Sequence, residues 1–273
     1  MSLFFFFKKK SAVITLTTDF GISDPYVASM KGVILGVNPW VRIVDITHEI
    51  PPQDIKRAGF VLNASYSYFP QGTIHVVVVD PGVGSGRKIL LVKTSKYFFL
   101  APDNGVLASV YRAHPEAKVY AVTNAQYFRS PVSATFHGRD IFAPVAGYLS
   151  KGVPPQNFGP EIREFDRGTV PLPEKKHNTI EGEIVTFDRY GNAITNIPGN
   201  WLDPHHAYQI QVGQVVISKI SRFFQEVPRG TPLAFIGSGN TLELSVHGGS
   251  AKEEMGLKIG DRIRIYTEGF HEQ

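Results

Sequence analysis

The stretch TIHVVVVDPGVGSGR, residues 73–87, is the part of the sequence that says most about the fold. Residues 73–79 form a largely β-branched run with almost no polar side chain, which is typical of a strand buried on both faces. Asp80 ends this run, and a glycine-rich turn leads from it to Arg87. A strand of this kind belongs to a sheet with helices on both faces, so the stretch predicts an α/β domain.

The segments around this strand alternate between strand-like and helix-like patterns. Apolar residues recur at helix spacing in residues 52–69, for example. Such alternation predicts a mainly parallel sheet flanked by helices, in an N-terminal α/β domain over residues 11–168. The predicted strands are residues 13–18, 41–46, 73–79, 89–94 and 119–122, and the predicted helices are residues 27–37, 52–69 and 140–149.

The composition changes between residues 151 and 178, where glycine and proline become frequent. We interpret this stretch as an interdomain connector, with the linker itself at residues 169–178. Short strands separated by turn signals follow, which predicts a smaller all-β, barrel-like C-terminal domain over residues 179–270. These strands are predicted at residues 180–187, 193–197, 208–217, 233–236, 241–246 and 262–267.

The composition excludes several classes of protein. The 273 residues contain no cysteine, which excludes a disulfide scaffold, a cysteine nucleophile and an iron–sulfur centre, and fits the reducing cytoplasm. The net charge of +4 comes without a long basic run, so we expect no nucleic-acid partner. No window approaches the roughly 20 apolar residues of a membrane span. The first ten residues, MSLFFFFKKK, place apolar before basic residues, the reverse of a signal peptide.

Two familiar site motifs fail on inspection. The glycine-rich segment 82–87 lacks the third glycine of a dinucleotide-binding turn and precedes a predicted strand instead of a helix. His48-Glu49 does not begin a zinc-protease motif, because Pro52 stands where the second histidine is needed. The sequence offers no convincing metal cluster, and we expect no bound metal.

Polar residues do occur at the ends of the predicted strands, where ligands gather in α/β sheets. Asp19 ends the first strand and needs a partner there; a carboxylate in this place can accept both hydroxyls of a ribose. Asp24, before Pro25, can bind a ligand or cap the following helix.

Three further polar clusters lie later in the N-terminal half. Asp80 and Arg87 can fold together across the glycine-rich turn, either as a site or as a buried ion pair that closes the loop. His137 stands just before a predicted helix, where it can orient or polarise a water molecule, or serve only a structural role. Asp103-Asn104-Gly105 can be a plain turn.

Five segments, in this order, resemble the motifs of one family. They are TDFG at 18–21, DPGVG at 80–84, APDNG at 101–105, FHGRD at 136–140 and YGNAITN at 190–196. The sequence is similar from about Val13 to about Thr267 to the S-adenosyl-L-methionine (SAM) hydroxide adenosyltransferases, relatives of the fluorinase and chlorinase enzymes. The resemblance implies that water or hydroxide attacks the ribose 5′ carbon of SAM, giving adenosine and L-methionine without a metal or cofactor.

The resemblance also implies which residues carry the chemistry. The Asp, Arg and His of the hydrolytic branch match Asp80, Arg87 and His137. The halogenating relatives carry an aromatic hydroxyl residue in place of Asp80 and a serine in place of Gly138, so this sequence departs from their pattern at both positions.

Substrate-binding positions follow from the same resemblance. Asp19 matches the carboxylate that holds the ribose hydroxyls, and Asp24 matches one that contacts the methionine amino group. Asn192 matches an adenine-recognising asparagine, and Ser238 matches a residue near the methionine moiety. Phe223 or Phe224 is expected to stack on adenine, with ordinary barrel core as the alternative, and the stretch from Glu243 through Val246 to Gly248 is expected to offer backbone groups to adenine.

The family resemblance further implies a homotrimer, with each site between the N-terminal domain of one subunit and the C-terminal domain of its neighbour. Two other functions stay open at the level of sequence. One is a halide adenosyltransferase, against which Asp80, Arg87 and His137 count. The other is a non-catalytic module that binds adenosine or SAM, because the same pocket would serve both roles.

Overall fold

A computed structural model describes residues 11–267 of the chain. The Phe- and Lys-rich first ten residues and residues 268–273 lie outside the described residues. The chain divides into two compact units, one up to Val170 and the other from Pro171 onward, which are described separately below.

The N-terminal unit contains a sheet with the strand order β2-β1-β3-β5-β4-β6 within its described residues. The β2-β1, β1-β3 and β3-β5 pairs are parallel, whereas β4 is antiparallel to both β5 and β6. The prediction of a mainly parallel sheet is therefore confirmed. The strands are β1 (Val13–Thr18), β2 (Arg42–Thr47), β3 (Ile74–Val78), β4 (Ile89–Lys93), β5 (Phe98–Pro102) and β6 (Lys118–Ala121).

Helices cover both faces of this sheet. One core cluster joins α1 and α4 to the sheet face that carries Val76 and Val78, and a second joins α2 and α3 to the face that carries Val77 and Val79. The run that follows Thr73 is thus buried on both faces, as its composition predicts. The helices are α1 (Tyr26–Val37), α2 (Ile55–Ser65), α3 (Ala108–Ala113) and α4 (Ala143–Ser150).

Some elements differ from the predicted ones. The helix predicted from residue 52 begins at Ile55, because the Asp54 side chain accepts the Arg57 N–H as an N-cap at 2.9 Å. The helix predicted from residue 140 is a π-helical turn over Gly138–Phe142 that continues into α4. Strand β5 and helix α3 are absent from the prediction.

Part of the glycine- and proline-rich stretch belongs to the N-terminal unit. Phe158 is completely buried in its core. The backbone N–H of Ile162 donates to the carbonyl of Val119 at 2.8 Å. These contacts hold residues 158–162 against the edge strand β6.

The C-terminal unit is a barrel-like sheet in which the described strands follow the order β11-β10-β15-β8-β9-β14-β13-β12, with β7 beside β8. Burial alternates along β9 and β10, so one face of each strand meets the core. This confirms the predicted all-β, barrel-like fold. The elements are β7 (Glu174–Lys176), β8 (Thr179–Phe187), β9 (Ala193–Pro198), β10 (Tyr208–Val212), β11 (Val215–Ile217), β12 (Ile220–Ser221), β13 (Pro232–Ile236), β14 (Thr241–Val246), α5 (Ala251–Glu254) and β15 (Arg262–Thr267).

A buried histidine sits inside the N-terminal unit, on β3. The His75 ring is fully buried and stacks on Phe99, with ring centroids 5.2 Å apart. Its Nδ1 lies 2.8 Å from Thr15 Oγ1. Burial lowers the pKa of His75 to about 3, so the ring is neutral in the folded protein at neutral pH.

We expect this histidine to make the unfolding free energy depend on pH. Below an unfolded pKa of about 6.5 the unfolded chain binds a proton that the folded chain does not. Stability should therefore fall as pH drops from about 6.5 toward 3, by about 1.4 kcal/mol per pH unit. A His75→Gln variant keeps a hydrogen-bonding group near Thr15 but lacks this titration. Urea unfolding at pH 7, 6 and 5 should show the stability difference between wild type and H75Q shrinking with acid, and a constant difference would contradict the assignment.

Candidate active site

A cleft of about 380 Å³ opens at the carboxyl ends of β1 and β3. These strands are parallel neighbours, so the residues that follow them, Asp19 and Asp80, lie at the same edge of the sheet. The two loops that follow β1 and β3 meet there with the segment before α4, which brings in His137. The cleft is lined by Asp19, Phe20, Tyr26, Pro52, Gln53, Val78, Asp80, Pro81, Val83, Thr135, Phe136, His137 and Gly138.

Asp80 and Arg87 form a two-pronged ion pair beside this cleft. Arg87 Nε donates to Asp80 Oδ1 at 2.7 Å, and Arg87 Nη2 donates to Asp80 Oδ2. The side chains are only 5% and 10% exposed, respectively. The planar guanidinium matches the carboxylate in this geometry, which orients both groups as well as neutralising them.

The same guanidinium determines the state of His137. Arg87 Nη2 lies 3.2 Å from His137 Nδ1, and because arginine has only donors, Nδ1 must accept. The proton of the neutral ring is therefore on Nε2. Partial burial lowers the pKa of His137, and the positive charge of Arg87 lowers it further. The site thus holds a neutral imidazole whose Nε2–H has no hydrogen-bond partner within residues 11–267 and can donate to a ligand.

Two close contacts keep this network in place. Gly84 has φ +78°, and a Cβ built on it would lie 2.2 Å from the carbonyl oxygen of Ala134, so the glycine-rich turn packs directly on the loop before His137. The guanidinium carbon of Arg87 lies 5.7 Å from the ring centroid of Phe142, at the end of the π-helical turn. The loops that carry Arg87 and His137 are therefore packed against each other.

One backbone N–H group holds the side chain of Asp19. Its Oδ2 accepts the N–H of Gln53 at 2.8 Å, and Gln53 has φ +65°, an uncommon conformation for a residue other than glycine. Below it, Thr18 Oγ1 lies 2.8 Å from Nδ1 of the buried His48. Within the described chain, Asp19 Oδ1 has no hydrogen-bond partner, so this oxygen is available to a ligand.

Two polar residues of the sequence motifs lie elsewhere. Asp24 is exposed and does not line the cleft. It does not cap α1 either, because Pro25 occupies the N-cap position and no side chain caps the helix. Asn104 donates to the carbonyl of Val79 at 2.9 Å and accepts the N–H of Val106, which confirms the structural turn.

The sequence patterns did not single out the aromatic wall of the cleft. Phe20, Tyr26 and Phe136 form a triangle with ring centroids 5.0 to 5.9 Å apart. A Cβ on Gly138 would lie 3.2 to 3.3 Å from Phe136, Met30 and Phe20, so a glycine fits there without displacing the wall. Phe20 and Phe136 belong to the two motifs TDFG and FHGRD, but only the tertiary structure shows that they touch.

In the C-terminal unit, Asn192 lies in a buried hydrogen-bond network. It is 7% exposed, its Nδ2 donates to Asp188 Oδ2 at 2.7 Å, and its Oδ1 accepts from Ser245 Oγ at 2.6 Å. Neither Asp188 nor Ser245 is among the predicted site residues. The spacing Asp188-x-x-x-Asn192 is a local signal for the first contact, whereas the second joins residues 53 positions apart.

The other predicted site residues of this unit lie on or near strands β13 and β14. The ring centroids of Phe224 and Phe235 are 5.0 Å apart. Phe235 on β13 is the pairing partner of Glu243 on β14. Burial raises the pKa of Glu243, and the charge of Asp188 adds to the shift. Neither Phe223 nor Phe224 packs into the barrel core, so the core interpretation is wrong. Ser238 is exposed in a turn and Val246 is buried at the end of β14.

Residues 11–267 contain neither a metal-ligating cluster nor a membrane-spanning helix. No three His, Asp or Glu side chains in this range come together in a way that could hold a metal ion. No helix in this range is long and apolar enough to cross a bilayer.

The contact between the two loops can be tested with a matched pair of glycines. Gly84→Ala introduces a Cβ at positive φ and into the Ala134 carbonyl, so the free energy of unfolding should fall by about 1–2 kcal/mol or more. Gly86→Ala, two residues away in open space, should change it by less than about 0.5 kcal/mol. Denaturant unfolding measures both, and equal effects would show that the packing at Gly84 is unimportant.

The chain is similar to known proteins over most of its length. The chain is 38% identical over 255 residues to a protein of Thermus thermophilus named (R)-S-adenosyl-L-methionine hydrolase, covering 91% of this chain and 97% of that protein. A crystal structure of an uncharacterized conserved protein from Thermotoga maritima superposes with a TM-score of 0.87 at 35% identity, covering 93% and 99% of the two chains. A fluorinase of an Actinoplanes species is more distant, at 24% identity over 93% of this chain.

Family models match both units of the structure. The model of the SAM hydroxide adenosyltransferase N-terminal domain matches residues 14–159, and that of the C-terminal domain matches residues 182–264. Together these matches include the cleft and the Asn192 network. The chain therefore belongs to the SAM hydroxide adenosyltransferase family.

Proposed function

We propose that this protein hydrolyses S-adenosyl-L-methionine to adenosine and L-methionine. The observation that carries the proposal is the buried Asp80–Arg87–His137 network beside a cleft at the carboxyl edge of the sheet. The name of the Thermus relative specifies the R configuration at sulfur, and we extend that preference to this chain.

The hydrogen-bond inventory of the network suggests a role for each group. Arg87 uses Nε and both N–H groups of Nη2 on its two neighbours, and one N–H of Nη1 is within 3.4 Å of the Lys88 carbonyl. The carboxylate of Asp80 still has lone pairs to accept from a water molecule, whereas the Nδ1 lone pair of His137 is engaged. Asp80 is therefore the group with capacity to take a proton, and His137 Nε2–H is the donor that can hold the water oxygen.

The reaction that follows is a single displacement. The water oxygen forms a bond to the 5′ carbon as the bond from that carbon to sulfur breaks, and the electron pair stays on sulfur as the neutral thioether of methionine. One water proton leaves through Asp80 to solvent. The sulfonium is an excellent leaving group, so we propose that no metal or organic cofactor takes part and that positioning and desolvation of water provide the catalysis.

The rest of the cleft suits a cationic nucleoside. The aromatic faces of Phe20, Tyr26 and Phe136 attract a cation such as a sulfonium. Asp19, with a free oxygen beside this wall, is placed to accept ribose hydroxyls. We assign the adenine to Asn192, Phe224 and the backbone from Glu243 to Val246 in the C-terminal domain. We assign the methionine moiety to Ser238 of that domain and to Asp24 of the N-terminal domain, which lies outside the cleft described above.

Halide transfer is the competing reaction. The carboxylate of Asp80 repels a halide ion approaching the 5′ carbon, while a water molecule can donate to it. The identity to the hydrolase relative, 38%, also exceeds that to the fluorinase, 24%. Both arguments favour hydrolysis.

We further propose a cytoplasmic homotrimer in which each site joins the N-terminal domain of one subunit to the C-terminal domain of its neighbour. The family resemblance supports this arrangement. Ile22 is 80% exposed and Tyr26, in the cleft wall, is 45% exposed, which fits a surface that another subunit covers. The absence of cysteine fits the reducing compartment.

Incubation of the protein with the R and S diastereomers of SAM in ¹⁸O-labelled water, with and without high chloride, tests the reaction. We expect adenosine that carries ¹⁸O at the 5′ hydroxyl, unlabelled methionine, faster turnover of the R form and no effect of chloride. Asp80→Asn should reduce kcat by about 100-fold or more while nucleoside binding persists. A 5′-chlorinated nucleoside would show halide transfer instead, and intact SAM with bound nucleoside would show a binding module.

Subunit complementation tests the shared site. Asp80→Ala and Asn192→Ala subunits, each inactive alone, are co-expressed with different affinity tags and the mixed oligomers are purified. If each site uses two chains, every mixed trimer, whether it contains two subunits of the first variant or two of the second, has one interface of three in which both residues are intact. About a third of the sites in the purified mixed trimers should therefore be active. No recovery in mixed oligomers would place Asp80 and Asn192 of each site in one chain.

A further inference from the structure

We propose that Asp188 and Ser245 are positioning residues for base recognition. They hold the side-chain amide of Asn192 in one orientation, so that the C-terminal domain selects a 6-aminopurine over a 6-oxopurine. This inference rests on the proposed function, in which Asn192 recognises the adenine of the substrate.

The Asp188 carboxylate is itself fixed by the chain. Its Oδ1 accepts the backbone N–H groups of Tyr190 and Asn192, each at 2.9 Å, across the turn that joins β8 to β9. Its Oδ2 is left for the Asn192 side chain, at 2.7 Å. An ionised carboxylate only accepts hydrogen bonds, so the amide atom facing it must be the nitrogen.

Ser245 holds the other end of the amide. Its side chain is completely buried, and its hydroxyl donates to Asn192 Oδ1 at 2.6 Å. Rotating the amide by 180° would place Oδ1 against the Asp188 carboxylate, which is repulsive and breaks a buried hydrogen bond. The Ser245 hydroxyl would then have to accept from Nδ2 and would lose Oδ1 as the acceptor of its own proton. The amide therefore has one orientation, and the oxygen and nitrogen occupy fixed places.

This orientation matters because the two purines present different edges. After its contacts with Asp188 and Ser245 in the described part of the chain, the Asn192 side chain keeps one N–H donor and one acceptor lone pair for a ligand. Adenine has two edges with which an amide can pair. On each of them the amino group, a donor, lies beside a ring nitrogen that accepts. A 6-oxopurine carries an oxygen in place of the amino group. This oxygen would face Asn192 Oδ1, and because both atoms only accept hydrogen bonds, they repel each other. Only a rotated amide would accommodate it on the edge that carries its ring N–H.

Titration calorimetry with adenosine and inosine measures this selectivity directly, without turnover. We expect wild type to prefer adenosine by about 100-fold, as a site built around a specific hydrogen-bonding pattern does. Asp188→Asn removes the group that forbids the rotated amide, and the preference should fall below about tenfold. Ser245→Ala should lower it in the same direction, and Ser245→Thr, which keeps the hydroxyl, should restore it.

Ser221→Ala is the matched control for Ser245→Ala. Ser221 is also a buried serine of the C-terminal unit, but its hydroxyl has no hydrogen-bond partner within the described chain, so its removal should leave the adenosine-to-inosine ratio unchanged. Thermal unfolding of each variant confirms folding. A general loss of stability weakens both nucleosides together, whereas the proposed role changes their ratio.

The outcomes separate this inference from the proposed function. If wild type hydrolyses SAM but binds adenosine and inosine equally, the inference is overturned while the function stands. A folded Ser245→Ala variant with the full wild-type ratio would overturn it as well. A selective wild type whose selectivity falls in S245A and D188N but not in S221A supports it, even if SAM proves not to be hydrolysed. A wild type that binds neither nucleoside overturns the inference whatever its turnover.

Discussion

The buried ion pair between Asp80 and Arg87 is the constraint on which the rest of the N-terminal unit depends. Taking two charges out of water costs several kcal/mol per ion unless geometry and further hydrogen bonds compensate. Here the fork of Arg87 meets both carboxylate oxygens and His137 at once. The tight glycine turn at Gly84 and the ring of Phe142 keep that fork in place. The contacts that orient this ion pair at the sheet edge are therefore needed for the folded structure, whatever role the pair has in a reaction.

The sequence predicts the part of this arrangement that a strand and its end can specify. The β-branched run before Asp80 predicts a strand buried on both faces, and its neighbour β1 brings Asp19 to the same edge. Strand β5 escapes prediction because FFLAP is short, ends in proline and shows no alternation. The aromatic triangle and the neutral state of His137 depend on contacts across distant loops, which no local pattern contains.

In the C-terminal unit, too, the sequence predicts the strands but not the contacts between distant residues. Its strand positions follow from alternating burial and turns, so the barrel-like fold is predictable. Only its motif points to Asn192 in the sequence, and its partner Ser245 lies 53 residues later on β14. Because β14 pairs with β9 through an irregular register, the sequence does not show which strand residue meets Asn192. The register between two strands therefore decides which hydrogen-bond donors and acceptors come together around Asn192.

In the proposed function the two units contribute different kinds of selectivity. In the N-terminal unit a charged network keeps a histidine neutral, with its proton on Nε2. In the proposed reaction this state leaves Nε2–H to hold the water and Asp80 to take its proton. In the C-terminal unit a charged group fixes the orientation of a neutral amide, and in the proposed recognition this orientation decides which base edge is accepted. Both effects have the same cause. A carboxylate only accepts hydrogen bonds and a guanidinium only donates them, so either group dictates which atom of a neighbouring amide or imidazole must face it. Substitutions that keep size but relax that polarity, such as aspartate to asparagine, should thus affect chemistry in one unit and base choice in the other.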